Sequence, residues 1–192
     1  MTAAALAPVR ISGERVTLRP FTDDEVAEVE RRVYEQAGSR EDRFEFPTGP
    51  PPRSELRERL MDSGRFSNGM LDLAVEADGA LAGEIQARNP KGCTPRGVYS
   101  LGIALSRENR GRGIGREAVQ LITGHLFTQE GAHRVELSTD VENQAMRTAA
   151  ERAGFVLEGV LRSFFVTEDG PRDYALYAMT RTDWENERDR WT

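Results

Sequence analysis

An α+β fold on a mixed, mostly antiparallel central sheet is predicted by three stretches of this 192-residue chain. The segments "LDLAVEA" and "LAGEIQAR" flank "DGA" over residues 71–88, and Asp78-Gly79 between two apolar runs is a strong hairpin signal. Residues 98–155 then alternate "VYSLGIAL", a helical stretch, "HRVELST" and a second helical stretch, a β-α-β-α unit. Residues 157–180 close with two more strands around Glu168-Asp169-Gly170.

Taken in order, residues 1–9 read as a flexible tail, too short and lacking the basic start of a secretory signal. "ISGERVTLRPF" (11–21) reads as one strand with Val16 and Leu18 on one face. In "TDDEVAEVERRVYE" (22–35), Thr22 and Glu25 have capping-box spacing, acids fill the first turn, and Val26, Val29 and Val33 recur at helical intervals. Residues 36–69 form a variable, loop-rich region punctuated by Pro51 and Pro52, in which 54–61 is helical. After the hairpin, the loop 89–97 leads to a third antiparallel strand at 98–105. Residues 116–129 form a helix with Ala118, Leu121, Ile122 and His125 on its apolar stripe. Residues 142–155 form another, with Gly154 as its C′ glycine. The whole of 1–192 reads as a single domain, a size one core can serve.

Composition narrows the partners. The net charge of −6 opposes nucleic-acid binding, which depends on a basic face. No apolar run is long enough to span a bilayer. One cysteine, Cys93, cannot form an internal disulfide, so the expected compartment is the cytoplasm. His125 and His133 are too few for a metal site, and none is expected.

The stretch "NRGRGIGREAV" (109–119) lies between the strand 98–105 and the helix that follows. A strand entering a glycine-rich turn and then a helix suits an anion, because unpaired N–H groups converge with the positive end of the helix dipole. The Lys-Ser/Thr ending of a Walker loop is absent. Gly111, Gly113 and Gly115 run Gly-x-Gly-x-Gly rather than the Gly-x-Gly-x-x-Gly of a dinucleotide fingerprint.

Arg110, Gly111, Arg112, Gly113, Ile114 and Gly115 match Arg/Gln-x-x-Gly-x-Gly/Ala, and the motif resembles the pyrophosphate loop of the GNAT superfamily of acyl-CoA-dependent N-acyltransferases. The order of strand, loop, helix, strand, Asn143 and a helix ending in Gly154-Phe155 is similar to that family's. "ERVTLRPFTDDEV" and the closing strands resemble its RimJ/RimL-type branch. The resemblance implies a GNAT-like sheet with helices on both faces, its strands splayed at a cofactor cleft. Acetyl-CoA would lie with its pyrophosphate on the amides of 110–115 and with Arg116, Arg107 and Arg112 near enough to add charge. The pantetheine arm would add to the strand at Ile103, Ala104 and Leu105. Gly102 within that strand suggests a bulge or a close backbone approach there.

The implied reaction moves an acetyl group to a primary amine by direct attack. Asn143 matches the family's asparagine that bonds the cofactor arm or orients the amine, and it equally suits a helix cap. Glu84 and Glu136 are strand carboxylates that suit a general base, though an exposed face is the commoner place for such residues. The family's acid tyrosine is replaced by Ala150, a serine of the branch by Met146, and a glutamate of its central strand by Ser100. Three readings stay open: an acetyl-CoA-dependent N-acetyltransferase, a non-catalytic acyl-CoA-binding sensor, and a dinucleotide-binding oxidoreductase. For the first, the acceptor is a peptide N-terminal α-amine or a small cationic amine. A homodimer is left open.

Overall fold

A computed structural model describes residues 7–36, 51–90, 94–167 and 169–191. The strands β1 (Ile11–Ser12), β2 (Val16–Arg19), β3 (Met70–Ala77), β4 (Ala80–Arg88), β5 (Val98–Leu105), β6 (Arg134–Asp140), β7 (Val156–Thr167) and β8 (Gly170–Thr180) form one sheet. Their order is β1-β2-β3-β4-β5-β6-β8-β7, and only β5 and β6 run parallel. The helices are α1 (Asp23–Gln36), α2 (Arg53–Met61), α3 (Ile114–Thr128), α4 (Gln144–Arg152) and α5 (Arg181–Glu187). The predicted α+β class with a mostly antiparallel sheet is therefore the observed one.

Local chemistry explains most elements. Asp78 and Gly79 both adopt positive φ, 53° and 76°, which twists the β3–β4 turn in the sense the strands require. Thr22 and Glu25 form the expected reciprocal cap: the Thr22 N–H donates to Glu25 Oε2 at 2.9 Å and the Glu25 N–H to Thr22 Oγ1 at 3.4 Å. Gly154, at φ 89°, follows the end of α4 as the C′ residue.

Three expectations need correction. The stretch 11–21 is two short strands rather than one: the chain turns at residues 13–15 so that β1 pairs back on β2. Helix α3 starts at Ile114, two residues early, because the Gly113 N-cap at φ 84° lets the turn end there. Its buried stripe runs through Ala118, Val119, Ile122 and Leu126, with Leu121 and His125 at the margin. Helix α5 was not foreseen, yet Thr180 and Asp183 supply a full capping box and Trp184 stacks on Phe127 at 5.3 Å.

The pleat sorts side chains onto two faces. Leu71, Leu73, Ile85, Ala87, Leu101 and Leu137 join α3 in the main core. The opposite face carries Asp72, Glu84, Gln86, Arg88, Ser100 and Glu136, with α1 and α2 beside it. Arg32 of α1 reaches Glu84 at 3.2 Å, and Arg59 of α2 reaches Asp72 at 3.3 Å. Helices on both faces were expected. Of the loop-rich region, only 36 and 51–69 are described, and 53–61 there is α2.

Candidate functional site

Strand β5 pairs with β4 from Ser100 to Leu105, but with β6 only from Val98↔Arg134 to Leu101↔Leu137. Strand β6 meanwhile stays on β8 through Asp140↔Tyr174. The two parallel strands thus part after Leu101, leaving a notch whose β5 edge has backbone groups without a strand partner. The bulge expected at Gly102 is absent, since Gln86↔Gly102 continues an unbroken register. A Cβ at Gly102 would meet only Gln86 Oε1 at 3.9 Å and Arg88 Nη2 at 3.8 Å. The glycine therefore keeps the notch floor bare rather than relieving a clash.

The glycine loop closes the open end of the notch. Gly111 and Gly113 adopt φ 73° and 84°, and no side chain caps α3. The N–H groups of residues 111–116 find no acceptor among the described residues, while the next, that of Glu117, bonds the Gly113 carbonyl at 3.2 Å. A Cβ at Gly111 would meet nothing within 4 Å, and one at Gly113 only Arg15 Nη1 at 3.7 Å. A row of orphan donors in open space at a helix start fits an anion of pyrophosphate size. Gly115 seats the helix on the strand: its Cβ would lie 3.4 Å from Leu105 Cδ1 and 4.0 Å from Ile103 Cδ1. Ala104 points to the other face, opposite Glu84.

The loop arginines have local duties. Arg112 pairs with Asp78 at 2.6 Å and donates to Asn109 Oδ1 at 3.0 Å. Arg110 folds back to donate Nε to the Leu105 carbonyl at 3.0 Å, which occupies one acceptor on the open β5 edge. Arg116 is exposed beside Arg10 and Glu117, on the side of α3 toward β1.

On the face away from α3, Glu136 lies beside Ser100 in the last rows of β5–β6 pairing. Ser100 Oγ donates to Glu136 Oε1 at 3.1 Å, and Arg134 Nε to Oε2 at 2.9 Å. Arg134 is in turn held by both oxygens of Glu158, at 2.8 and 2.6 Å, which pulls the Glu158 carboxyl below its usual range. Glu84 is two residues from Gly102's partner Gln86 and is paired with Arg32. Gly102 thus stands between the two candidate carboxylates. Nothing in the local sequence pointed to Glu158 or Arg32, because each arrives from another element, whereas Arg134 stands two residues before Glu136 on the same face of β6 and was passed over.

Asn143 is the N-cap of α4. Its Oδ1 accepts from the Met146 N–H at 3.3 Å, and its Nδ2 donates to the buried Thr139 Oγ1 at 3.1 Å. This fixes the amide just past the far strand of the notch. Ala150 is fully buried in the core, so α4 presents no acid there. The one buried tyrosine nearby, Tyr177, donates to Glu151 at 2.8 Å and accepts from Arg147 at 3.2 Å; burial pushes its phenol up. His125 faces Glu130 at 3.5 Å, and desolvation lowers its pKa. No group of three or more potential metal-ligating side chains exists among the described residues. None of the described helices is long and apolar enough to cross a membrane.

Comparison with known proteins bears on this geometry. The acetyltransferase (GNAT) domain family matches residues 15–156. YdaF of Bacillus subtilis (strain 168), a candidate ribosomal N-acetyltransferase, is 26% identical over 147 residues, spanning 74% of this chain and 79% of that protein. The prophage-derived N-acetyltransferase YokL of the same organism is 23% identical over 175 residues, 91% of this chain and 94% of that one. The solved structure of Mycobacterium smegmatis RimJ in complex with a CoA-disulfide superposes with a TM-score of 0.73 at 25% identity, covering 92% of this chain and 90% of that chain. The chain belongs to the GNAT acetyltransferase family, and the dinucleotide alternative falls with that finding.

Proposed function

We propose that this GNAT-family N-acetyltransferase uses acetyl-CoA to acetylate the α-amine at a peptide N-terminus. The observation that carries the reading is the notch: an open strand edge at 102–105 that ends on the orphan amides of 111–116. Those amides would hold the pyrophosphate, the edge beside Ile103 and Ala104 would hold the arm, and Asn143 would face it from the start of α4, just past β6. The cofactor supplies a thioester acetyl group. RimJ, at 25% identity, was solved with a CoA-disulfide, which supports the same occupant here.

Every other duty falls to the chain. Glu136, at the rim of the notch, is the general base that takes the proton of the attacking amine; Ser100 and Arg134 hold its orientation. Glu84, turned to Arg32, is the alternative base. Backbone N–H groups beside Gly102 would receive the developing oxyanion. With Ala150 where relatives carry an acid, the chain lends the leaving thiolate little help, which a thiol of pKa about 8.5 tolerates.

A weakly assisted site favours an easily deprotonated amine. An α-amine has pKa about 7.7–8.0 against about 10.4 for lysine, so it is neutral a few hundred-fold more often at neutral pH. The chain works in the cytoplasm in this reading, and the exposed Val156, Val160, Phe164 and Val166 on edge strand β7 support a homodimer, which sedimentation equilibrium checks. The functional test compares peptides bearing only a free α-amine with matched peptides whose only amine is a lysine side chain, by CoA release at pH 7–8. Faster release with the α-amine is the expected result. Faster release with lysine or small polyamines overturns the acceptor assignment.

A further inference from the structure

Directly across β5 from Glu136, the floor of the notch carries a cation that the acetyl transfer just described does not use. Arg88, Ser100 and Glu136 occupy one row across β4, β5 and β6, and Arg88 lies about two strand spacings, on the order of 10 Å, from Glu136 at the backbone. Both side chains lean onto β5: Glu136 bonds Ser100, and Arg88 Nη2 comes within 3.8 Å of where a Gly102 Cβ would stand.

The charges on the two sides are opposite. On the β6 side, Arg134 sits between Glu136 and Glu158, an excess of one negative charge. On the β4 side, Asp72 is buried, with Arg59 at 3.3 Å and Arg88 close enough to repel Arg59 and attract Asp72. Two guanidiniums share one carboxylate there, an excess of one positive charge. Among the described residues Arg88 has no ion-pair or hydrogen-bond partner of its own. Desolvation and Arg59 together lower its pKa, while the residue as a whole stays exposed and within reach of an incoming anion.

Resting on the reading of this cleft as the acetyl-transfer site, we infer that the acceptor is zwitterionic: its amine meets Glu136 while a carboxylate close to that amine pairs with Arg88. A guanidinium fork suits a carboxylate, and an arginine left without a partner beside bare backbone gives it a docking point. The chain's net charge of −6 would steer such an acceptor by its ammonium end, and Arg88 would select among those that arrive.

Titration of the protein saturated with CoA, using C-terminally amidated peptides that differ only in Asp, Asn or Lys at the second residue, tests this. The Asp peptide is expected to bind about tenfold or more tightly than the Asn peptide, as charge-assisted bonds do. In Arg88→Gln the ratio is expected to fall toward one, and in Arg88→Lys to persist in part. β-Alanine, an amine with a free carboxylate, should compete if the carboxylate can come from a small molecule; failure to compete assigns it to the peptide side chain. Equal or tighter binding of the Asn or Lys peptide to the unaltered protein overturns the inference. So does an unchanged ratio in Arg88→Gln, and the unaltered protein with Arg88→Lys decides alone if that variant does not fold. Preferred binding of the Asp peptide without CoA release from acetyl-CoA would uphold Arg88 and sink the acetyl-transfer reading instead.

Discussion

The two halves of β5 differ more than their sequences suggest. Residues 98–101 are all paired to β6, Ser100 and Leu101 to β4 as well, and Leu101 is buried at 4% exposure against the core. Residues 102–105 keep β4 but lose β6, and every one of them is partly exposed. The first half obeys the rule that buried backbone is satisfied within the fold. The second leaves an edge for something outside it. An interior strand rarely offers an unpaired edge, so the place where it does is the place to look for a ligand.

The sharpest way to break this comparison is chemical. Glu136→Gln keeps the shape and both neighbours but cannot take a proton. We expect kcat to fall about 10²- to 10⁴-fold with Tm little moved; an unchanged kcat would transfer the role to Glu84.

The closed side should show its weight in stability. Leu137, 3% exposed, is the last residue of β6 paired to β5, and Leu137→Ala should cost about 2–5 kcal/mol in denaturant unfolding. One step along, Gly102→Ala meets no atom closer than 3.8 Å, so its cost should stay about 1 kcal/mol or less while acetyl transfer suffers. Equal stability losses at the two positions would erase the distinction between the halves.

Asn143→Ala removes the α4 cap, worth about 1 kcal/mol. A kcat loss beyond that stability change, read in the folded protein well below its Tm, would show that the amide also faces the reactants. A loss confined to Tm leaves it a cap.

The smallest effect concerns pH. Burial lowers the pKa of His125, so its contribution to stability is present above its unfolded value of about 6.5 and is lost as pH falls through the folded value. His125→Gln should flatten the fall of Tm between pH 7 and 5; an unaltered slope would assign the acid sensitivity elsewhere.

What the sequence made legible follows from range. Asp78-Gly79, Thr22 with Glu25, and Gly154 act within four residues, and each does in the structure what its type requires. The loop 110–115 was readable because its glycines and the following helix are contiguous. The turn at 13–15 was hidden because Glu117, from α3, accepts from the Arg15 and Val16 N–H groups at 2.9 and 3.1 Å and fixes it. Arg88 and Glu158 were invisible for the same reason. Their meaning lies in which residues stand near them across the sheet, and register between distant strands is not written in any one strand alone. The bulge expected at Gly102 failed instructively: a strand glycine can mark a ligand's approach as well as a kink.

The central claim is that the parted edge of β5 and the amides of the glycine loop form one acetyl-CoA site. Amide hydrogen exchange, followed residue by residue with and without acetyl-CoA, tests it most directly. The account predicts slowed exchange at 111–116 and on the open edge at 102–105, with 98–101 unaffected and NAD without effect. Protection by NAD, or protection that leaves both segments untouched, would contradict it.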